Sequence, residues 1–457
     1  MQTILQQHDF LTDRAKMEER DIPAPPRQLS PVKRIYRGLG LVAGGKAGAG
    51  LISLVTLLIG ARVLGPHDFG ILALVHGYAT AVCGIVEFPA WQAIVRYGAE
   101  ARQDEAPQRL ARLLRFGTIV ELSGGVAAIA TAMVLAPLVG PHLGWSAGVV
   151  AIAIPYSFAV LGSVRSTPAG YLQLIGRFDL LGAHNMVQPG VRLAGAALAA
   201  LCGWGLKAFL VAWLIAALAE FAVLWAMGLW FARKNLGASL FRPGKGSVRD
   251  DNPGIWRFLV ASNADVTLSE LSGRIVPLIV GWVLGPAAAG LYAVAQRATV
   301  IIAQPAQILG NTAYAELAQM VAGGRGGAPL RRTLVRVVGI ALMTAAPVIA
   351  IVAFFPEAIL SLIAGPSFAA ASAVMVMLVL ARGIALIGPP CSSALSALGY
   401  PALSMSANLA ASLAFLPLLP WLLRRYDLAG AGMQALGQAV LASLLLGTLV
   451  WRRSLVR

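Results

Sequence analysis

Apolar residues run through this chain in long blocks, separated by short polar stretches. A helix rises about 1.5 Å per residue, so about 20 apolar residues cross a hydrocarbon core about 30 Å thick. The pattern predicts membrane-spanning helices at 38–64, 68–96, 108–138, 147–175, 178–203, 206–232, 255–284, 287–313, 333–355, 368–398, 401–423 and 429–451. Twelve spans put both ends of the chain on one side. Residues 1–30 are polar, end in Ile22-Pro23-Ala24-Pro25-Pro26 and lack the apolar core of a signal peptide. The expected organisation is a disordered cytoplasmic tail at 1–35, a bundle at 36–235, a cytoplasmic linker at 236–254, a second bundle at 255–453 and a cytoplasmic end at 454–457.

The chain repeats itself. Leu64-Gly65-Pro66 through Gly70 ends the first span and starts the second, and Leu284-Gly285-Pro286 through Gly290 recurs 220 residues later. Gly suits the position after a helix, and Pro suits the first turn of the next. Gly176 and Asn185 match Gly399 and Asn408 at an offset of 223 residues, with the same spacing inside each pair. The expected fold is therefore all-α: a polytopic membrane protein of about twelve transmembrane helices in two six-helix bundles. With six spans per half, both halves start on the same side, as parallel repeats about an axis along the membrane normal.

Charge sets the orientation. Hydrophobic residues make up 58% of the chain and charged ones 12%, about half the charged fraction of a soluble protein. The net charge of +16, from 36 basic and 20 acidic residues, would suggest nucleic acid in a soluble chain. Here the basic residues gather on one side, among them Lys33, Arg34, Arg37, Arg102, Arg109, Arg112, Arg177, Arg233, Arg331 and Arg452. Lys and Arg collect in cytoplasmic loops, so that side is expected to be cytoplasmic, and no nucleic-acid partner is implied. Cys83, Cys202 and Cys391 lie far apart, with no metal-ligand spacing and no disulfide framework. No cofactor or metal is expected. The longest internal polar stretch, Arg233 to Asn252, is too short for a catalytic domain, and no phosphate-cradling loop or nucleophile–base pair appears. The chain reads as a transporter rather than an enzyme.

Charges inside spans need a reason, since each costs about 2.5–3.5 kcal/mol at mid-membrane on insertion scales. Lys46, Glu87, Glu121, Arg165, Arg192, Glu220, Asp265, Glu270, Arg274, Arg297 and Arg382 fall well inside the predicted spans. They are expected to face a wet cavity or to pair. Glu270 precedes Arg274 by one turn, the favourable order for an ion pair. Asn185, Gln188 and Arg192 share one stripe of the fifth span. His76 and His184 read as packed or hydrogen-bonded residues, and Gly40, Gly44 and Gly48 as a face for close helix approach. Trp145, Trp204, Trp256 and Trp451 read as interfacial anchors.

The stretch Ala61-Arg62-Val63-Leu64-Gly65-Pro66-His67-Asp68-Phe69-Gly70-Ile71-Leu72-Ala73, with Val95-Arg96-Tyr97-Gly98-Ala99-Glu100 after the second span, resembles the oligosaccharide flippases of the multidrug/oligosaccharidyl-lipid/polysaccharide exporter superfamily. The resemblance covers roughly residues 36–453. It implies two bundles in a V around a central cavity, in the bacterial inner membrane. It also implies alternating-access transfer of an undecaprenyl-diphosphate-linked oligosaccharide to the outer leaflet, for exopolysaccharide or lipopolysaccharide synthesis. On that reading Lys46, Arg165, Arg192, Arg274, Arg297 and Arg382 receive the diphosphate, Arg through its planar fork of donors. Asp265, then Glu87, are the candidates to bind a coupling ion. Partners would be the lipid-linked oligosaccharide diphosphate, membrane lipids, and polysaccharide polymerase and export proteins. The competing function is a small-molecule or multidrug exporter of the same superfamily, whose cavity should be acidic or aromatic rather than basic.

Overall fold

The structure, a computed structural model, describes residues 31–87, 89–240, 246–299, 320 and 327–454. Every regular element among them is helical. α1 (Pro31–Val86) would be about 84 Å long as a straight rod, nearly three hydrocarbon cores. It is not one rod, because Gly65 leaves the helical region at φ 68°, ψ 176° and Pro66 restarts the helix. That conformation is open essentially to glycine alone, so the Gly-Pro pair divides α1 into two spans, 31–64 and 66–86. α2 (Trp91–Gln103) and α3 (Pro107–Val139) follow. The fourth span is built from α4 (Ala147–Tyr156), a 3₁₀ segment and α5 (Ser166–Leu174). The fifth is α6 (Phe178–His184) with α7 (Val187–Leu201), and α8 (Leu206–Leu236) is the sixth.

After the short α9 (Val248–Asp251), α10 (Ile255–Leu284) and α11 (Pro286–Ala298) open the second half. Gly285 joins them at φ 88°, ψ 175°, the backbone conformation of Gly65. α12 (Ala328–Phe354), α13 (Pro356–Ala364), α14 (Ser372–Ala385), α15 (Gly388–Ala397), α16 (Pro401–Phe415), α17 (Leu419–Tyr426) and α18 (Ala429–Arg453) complete the chain. Seven helical segments among the described residues are long and apolar enough to cross a membrane, and the bent α16–α17 pair makes an eighth. One of the seven is the doubled α1, and α7, α10 and α11 add further crossings that are shorter or more polar. The arrangement is consistent with twelve spans.

The repeat is visible in the backbone. Gly176 and Gly399 both take positive φ, 75° and 89°. In each turn the glycine N–H donates to the carbonyl three residues back, and the next N–H to the carbonyl five back: Arg177 to Leu172 at 2.9 Å, Tyr400 to Leu395 at 2.8 Å.

Packing distinguishes the two ends of the molecule. At the end holding Gly65 and Gly285, one core runs through both halves, from Phe69 and Leu72 to Val280, Phe368 and Leu423. At the opposite, basic end the buried residues separate into two clusters. One, with Ile94, Leu113 and Tyr171, lies in the first half and takes in Ile255 and Leu259 of α10. The other, with Leu330, Leu395 and Leu446, lies in the second half. A shared core at one end and separate cores at the other is the packing of a V closed at the Gly-Pro end. There Gly70 and Gly290 pack reciprocally: a Cβ on Gly70 would stand 1.8 Å from the Pro286 carbonyl oxygen, and one on Gly290 2.1 Å from that of Pro66. The outward faces carry exposed Leu51, Ile119, Val134, Ile215, Met343, Ile351 and Leu444, which suits a lipid-facing belt.

Several local expectations change. The second span is not continuous to residue 96: α1 ends at Val86 and α2 begins at Trp91, with Pro89 in the break. The fourth, fifth and tenth spans are also broken, at 163–165, 185–186 and 386–387. The Asn185 stripe is therefore interrupted, and only Gln188 and Arg192 remain on α7. The eighth span beyond residue 299 lies outside the described residues. Gly40 and Gly44 face open space; the close approach is made by Gly45, where a Cβ would lie 2.2 Å from the Gly182 carbonyl oxygen. Trp204, Trp256 and Trp451 are exposed near span ends, but Trp145 is buried. The positive φ of Gly144 turns the chain inward there, and Trp145 meets Tyr78 edge-on at 5.6 Å.

Candidate functional site

Two polar clusters lie inside the spans. The first, within the first half, is organised by the break in the fourth span. A helix that starts inside a membrane presents N–H groups that no water can satisfy. α5 starts at Ser166 without a local side-chain cap. Glu121, fully buried on α3, supplies one from another helix. Its carboxylate accepts from the Ser166 N–H and, at 2.6 Å, from the Thr167 N–H. A carboxylate at a helix N-terminus is also favoured by the helix dipole. Arg165, the residue before this start, forms an ion pair with Glu220 of α8. His184 of α6 lies 3.7 Å from the same carboxylate. This set ties spans three to six together.

Glu87 sits at the break of the second span and is buried. The Cys83 thiol donates to its Oε2 at 2.9 Å, and its Oε1 has no hydrogen-bond partner among the described residues. Its nearest charges are Glu121, Arg165 and Arg274. Three acids, Glu87, Glu121 and Glu220, thus lie around Arg165, with Arg274 as the second cation near Glu87.

The second cluster lies where the halves meet. His76, on the second span, bridges Tyr156 and Arg192: Nδ1 is 2.9 Å from the Tyr156 hydroxyl, and Nε2 is 3.0 Å from Arg192 Nη2. A guanidinium has only donors. Nε2 must therefore accept, so the ring is neutral with its proton on Nδ1, directed at Tyr156. The Arg192 guanidinium also stacks over Trp213 at 5.4 Å. Its Nε, though buried, has no partner among the described residues. Arg274 of α10 reaches across the junction to donate to the Thr80 carbonyl at 2.8 Å. Arg274 and Arg297 are the next charges around His76 after Arg192.

Of the six basic residues singled out in the sequence, Arg192 touches His76, and Arg274 and Arg297 are near enough to act on it. Arg165 is held apart by Glu220. Lys46, on the first span, and Arg382, on α14 near Tyr292, are exposed, as Arg297 is, and neither is among the charges around His76. Asp265 and Glu270 lie on α10, but their side chains fall outside the described residues, and so does the expected Glu270–Arg274 pair. His76 and Tyr156 were not among the sequence candidates for the site. They are 80 residues apart in the chain, and no spacing announces the pair. No group of three or more His, Cys, Asp or Glu arranged to hold a metal occurs among the described residues.

A helical membrane protein with two six-helix halves, closed at one end around inward-facing charge, is the architecture of a transporter. Residues 59–373 match the polysaccharide biosynthesis protein family, and the chain belongs to that family. It is 26% identical over 292 residues to the inner membrane protein YghQ of Escherichia coli K12, covering 63% of this chain and 81% of that one. Among solved structures, it superposes on an inward-facing multidrug resistance MATE family transporter of the MOP superfamily with a TM-score of 0.63, at 15% identity, covering 91% of this chain and 95% of the other. A MOP superfamily transporter from Pyrococcus furiosus, described as having a binding pocket of reverse polarity, superposes with a TM-score of 0.55 at 15% identity, covering 93% and 95%. The chain is a multi-pass membrane protein with the MOP transporter fold.

Proposed function

We propose that this protein is a flippase that carries undecaprenyl-diphosphate-linked oligosaccharide from the inner to the outer leaflet of the bacterial inner membrane. Bundles 36–235 and 255–453 rock about the junction between them, and the basic end and both termini lie in the cytoplasm. The observation that carries this reading is the group of Arg192, Arg274 and Arg297 around a neutral His76 at the junction. Cations gathered around one neutral ring repel unless an anion joins them, and each phosphate of a diphosphate offers a guanidinium two charged oxygens. Arg192 is held ready by its stack on Trp213 and its bond to His76. The closed Gly-Pro end and separated basic end suit loading from the cytoplasmic side. Lys46 and Arg382 act as outlying cations that the cargo meets on its way, and Arg165 joins them only when its pair with Glu220 opens.

Glu87 and Asp265 are the proposed coupling-ion positions. For Glu87 the support is its half-satisfied carboxylate, buried at a helix break. A cationic junction disfavours the multidrug reading, because a cationic drug would be repelled there. Deletion of the gene followed by analysis of lipid-linked sugars tests the proposal. Loss of surface polymer with accumulated undecaprenyl-diphosphate-linked units is expected. Normal polymer with altered drug tolerance would overturn it.

A further inference from the structure

The basic end of the first half carries a second built feature, lined by none of the residues of the His76 junction. Between α2, α5 and α8 lies an open cavity of about 510 Å³. Arg102, Arg177 and Lys234 line it, against one acid in its wall, Glu105. Arg177 is already paired with Asp179 and stacked on Phe231 at 4.5 Å. Arg102 spends one N–H on the Leu174 carbonyl at 2.8 Å. Lys234 stands over the Trp230 ring at 5.5 Å, with its chain exposed. The Tyr171 hydroxyl at the inner wall accepts from Asn235 at 3.1 Å.

A second cavity, of about 410 Å³, begins at that same tyrosine. Its walls are Leu114 and Ile119 of α3 and Trp225 and Leu229 of α8. Leu110 lines the first cavity and Leu114 the second, one helical turn deeper along α3. On α8 the order is the same, from Lys234 down to Leu229 and Trp225. The two cavities meet at Tyr171, the first cationic at the membrane surface and the second mainly apolar, with Arg115 as the one cation in its wall.

We infer that this pair of cavities binds an anionic phospholipid of the cytoplasmic leaflet, with its phosphate between Arg102 and Lys234 and an acyl chain along Leu114, Ile119 and Leu229. A soluble anion would use the upper cavity and leave the lower one unfilled. A zwitterionic lipid would fill the lower one and gain little from the cations. Basic pockets between helices at the cytoplasmic surface are the expected recognition element for anionic headgroups. The assignment to the cytoplasmic leaflet rests on the orientation proposed above, whereas binding itself does not.

The test is native mass spectrometry of the purified full chain in detergent, titrated with phosphatidylglycerol or phosphatidylethanolamine. One phosphatidylglycerol should be retained in preference to phosphatidylethanolamine. Arg102→Gln and Lys234→Gln should each reduce that preference about fivefold. Thr118→Phe, which fills the apolar arm, should lower retention of both lipids. Arg424→Gln with Arg425→Gln, at the opposite end, should change neither, and size-exclusion profiles establish that each variant is folded. Equal retention of the two lipids by the wild type, or unchanged preference in the Arg102 and Lys234 variants, overturns the inference. Displacement by millimolar inorganic phosphate would make this a soluble-anion site and overturn it. Displacement by equimolar undecaprenyl phosphate would reassign the cavities to cargo and overturn it too. Orientation is read separately, by labelling Cys202, so a lipid preference with the wrong orientation would move the leaflet and spare the site.

Discussion

Replacing Gly70 or Gly290 by alanine should open the end of the molecule where the halves are now locked together. The added Cβ would stand 1.8 Å from the Pro286 carbonyl oxygen in one case and 2.1 Å from that of Pro66 in the other. Both obstacles are backbone, so no side chain can swing aside. The second span and α11 must part by about an ångström to reach an ordinary contact. Overpacking of this kind costs about 1–3 kcal/mol, and it acts only in the state where these helices touch. The ratio of closed to open forms at this end should therefore fall by about 5- to 150-fold. The two substitutions force apart the same pair of helices, so the double variant should shift the ratio by less than the two single effects combined. Spin labels at His67→Cys and Ala287→Cys, both exposed and placed one residue after the two prolines, report the separation by double electron–electron resonance, with Cys202 replaced by Ser. Gly339→Ala, where a Cβ meets nothing within 4 Å, is the control. A distance distribution unchanged by Gly70→Ala and Gly290→Ala would refute the view that this contact closes the gate.

Cys202 is exposed while Cys83 and Cys391 are buried, so an impermeant maleimide should label intact spheroplasts at Cys202 alone. Labelling only after lysis would reverse the orientation. Arg192→Ala should abolish polymer export, and Arg192→Lys should restore little of it, since an ammonium cannot hold His76, Trp213 and a diphosphate through one planar fork; export by the lysine variant at wild-type level would count against the fork. Glu220→Ala removes the buried partner of a partly exposed Arg165 and should cost less than the about 3–5 kcal/mol of a fully buried pair, seen as a lowered melting temperature in detergent. An Arg165→Met/Glu220→Leu double variant should recover most of that loss.

Much of this architecture was legible in the order of apolar blocks. Gly65 and Gly285 could be read because a glycine-only backbone conformation followed by proline leaves a written signature, and both adopt it. Gly176 and Gly399 were legible for the same reason. The breaks at Glu87–Ala90 and Ser163–Arg165 were not, because hydropathy averages over them and only Pro89 marks one. Of the Gly40, Gly44 and Gly48 face only Gly48 packs closely, against Met186, since a small-residue stripe shows that close approach is allowed, and not which neighbour takes it; Gly45 makes the tightest contact there, with Gly182. For the site, composition showed that charges were inside. It could not separate Arg165, neutralised by Glu220, from Arg192, Arg274 and Arg297, because that partition depends on which spans touch.

The duplicated halves have not kept equivalent interiors, and the breaks show why. The fourth and tenth spans are interrupted at corresponding places, by 163–165 and 386–387. Both interruptions leave backbone groups that lipid cannot satisfy. In the second half the turn largely satisfies itself: the Leu386 and Ile387 N–H groups donate to the Gly383 and Ile384 carbonyls at 3.2 Å, and the Ser443 hydroxyl adds a second donor to Ile384 at 3.1 Å. In the first half the Glu121 carboxylate meets two N–H groups, and its charge requires the company of Arg165, which in turn requires Glu220. One choice of capping group thus commits three spans to a charged core, and places Glu87 beside it. The energies should differ accordingly. Ser443→Ala removes one neutral hydrogen bond and should cost about 1 kcal/mol. Glu121→Ala leaves two buried N–H groups unsatisfied and removes a countercharge from Arg165, for about 3–5 kcal/mol. Melting temperatures of the two variants in the same detergent compare them directly. If Ser443→Ala destabilises as much as Glu121→Ala, the carboxylate is not the cap that organises the first half, and the charged core beside Glu87 needs another origin.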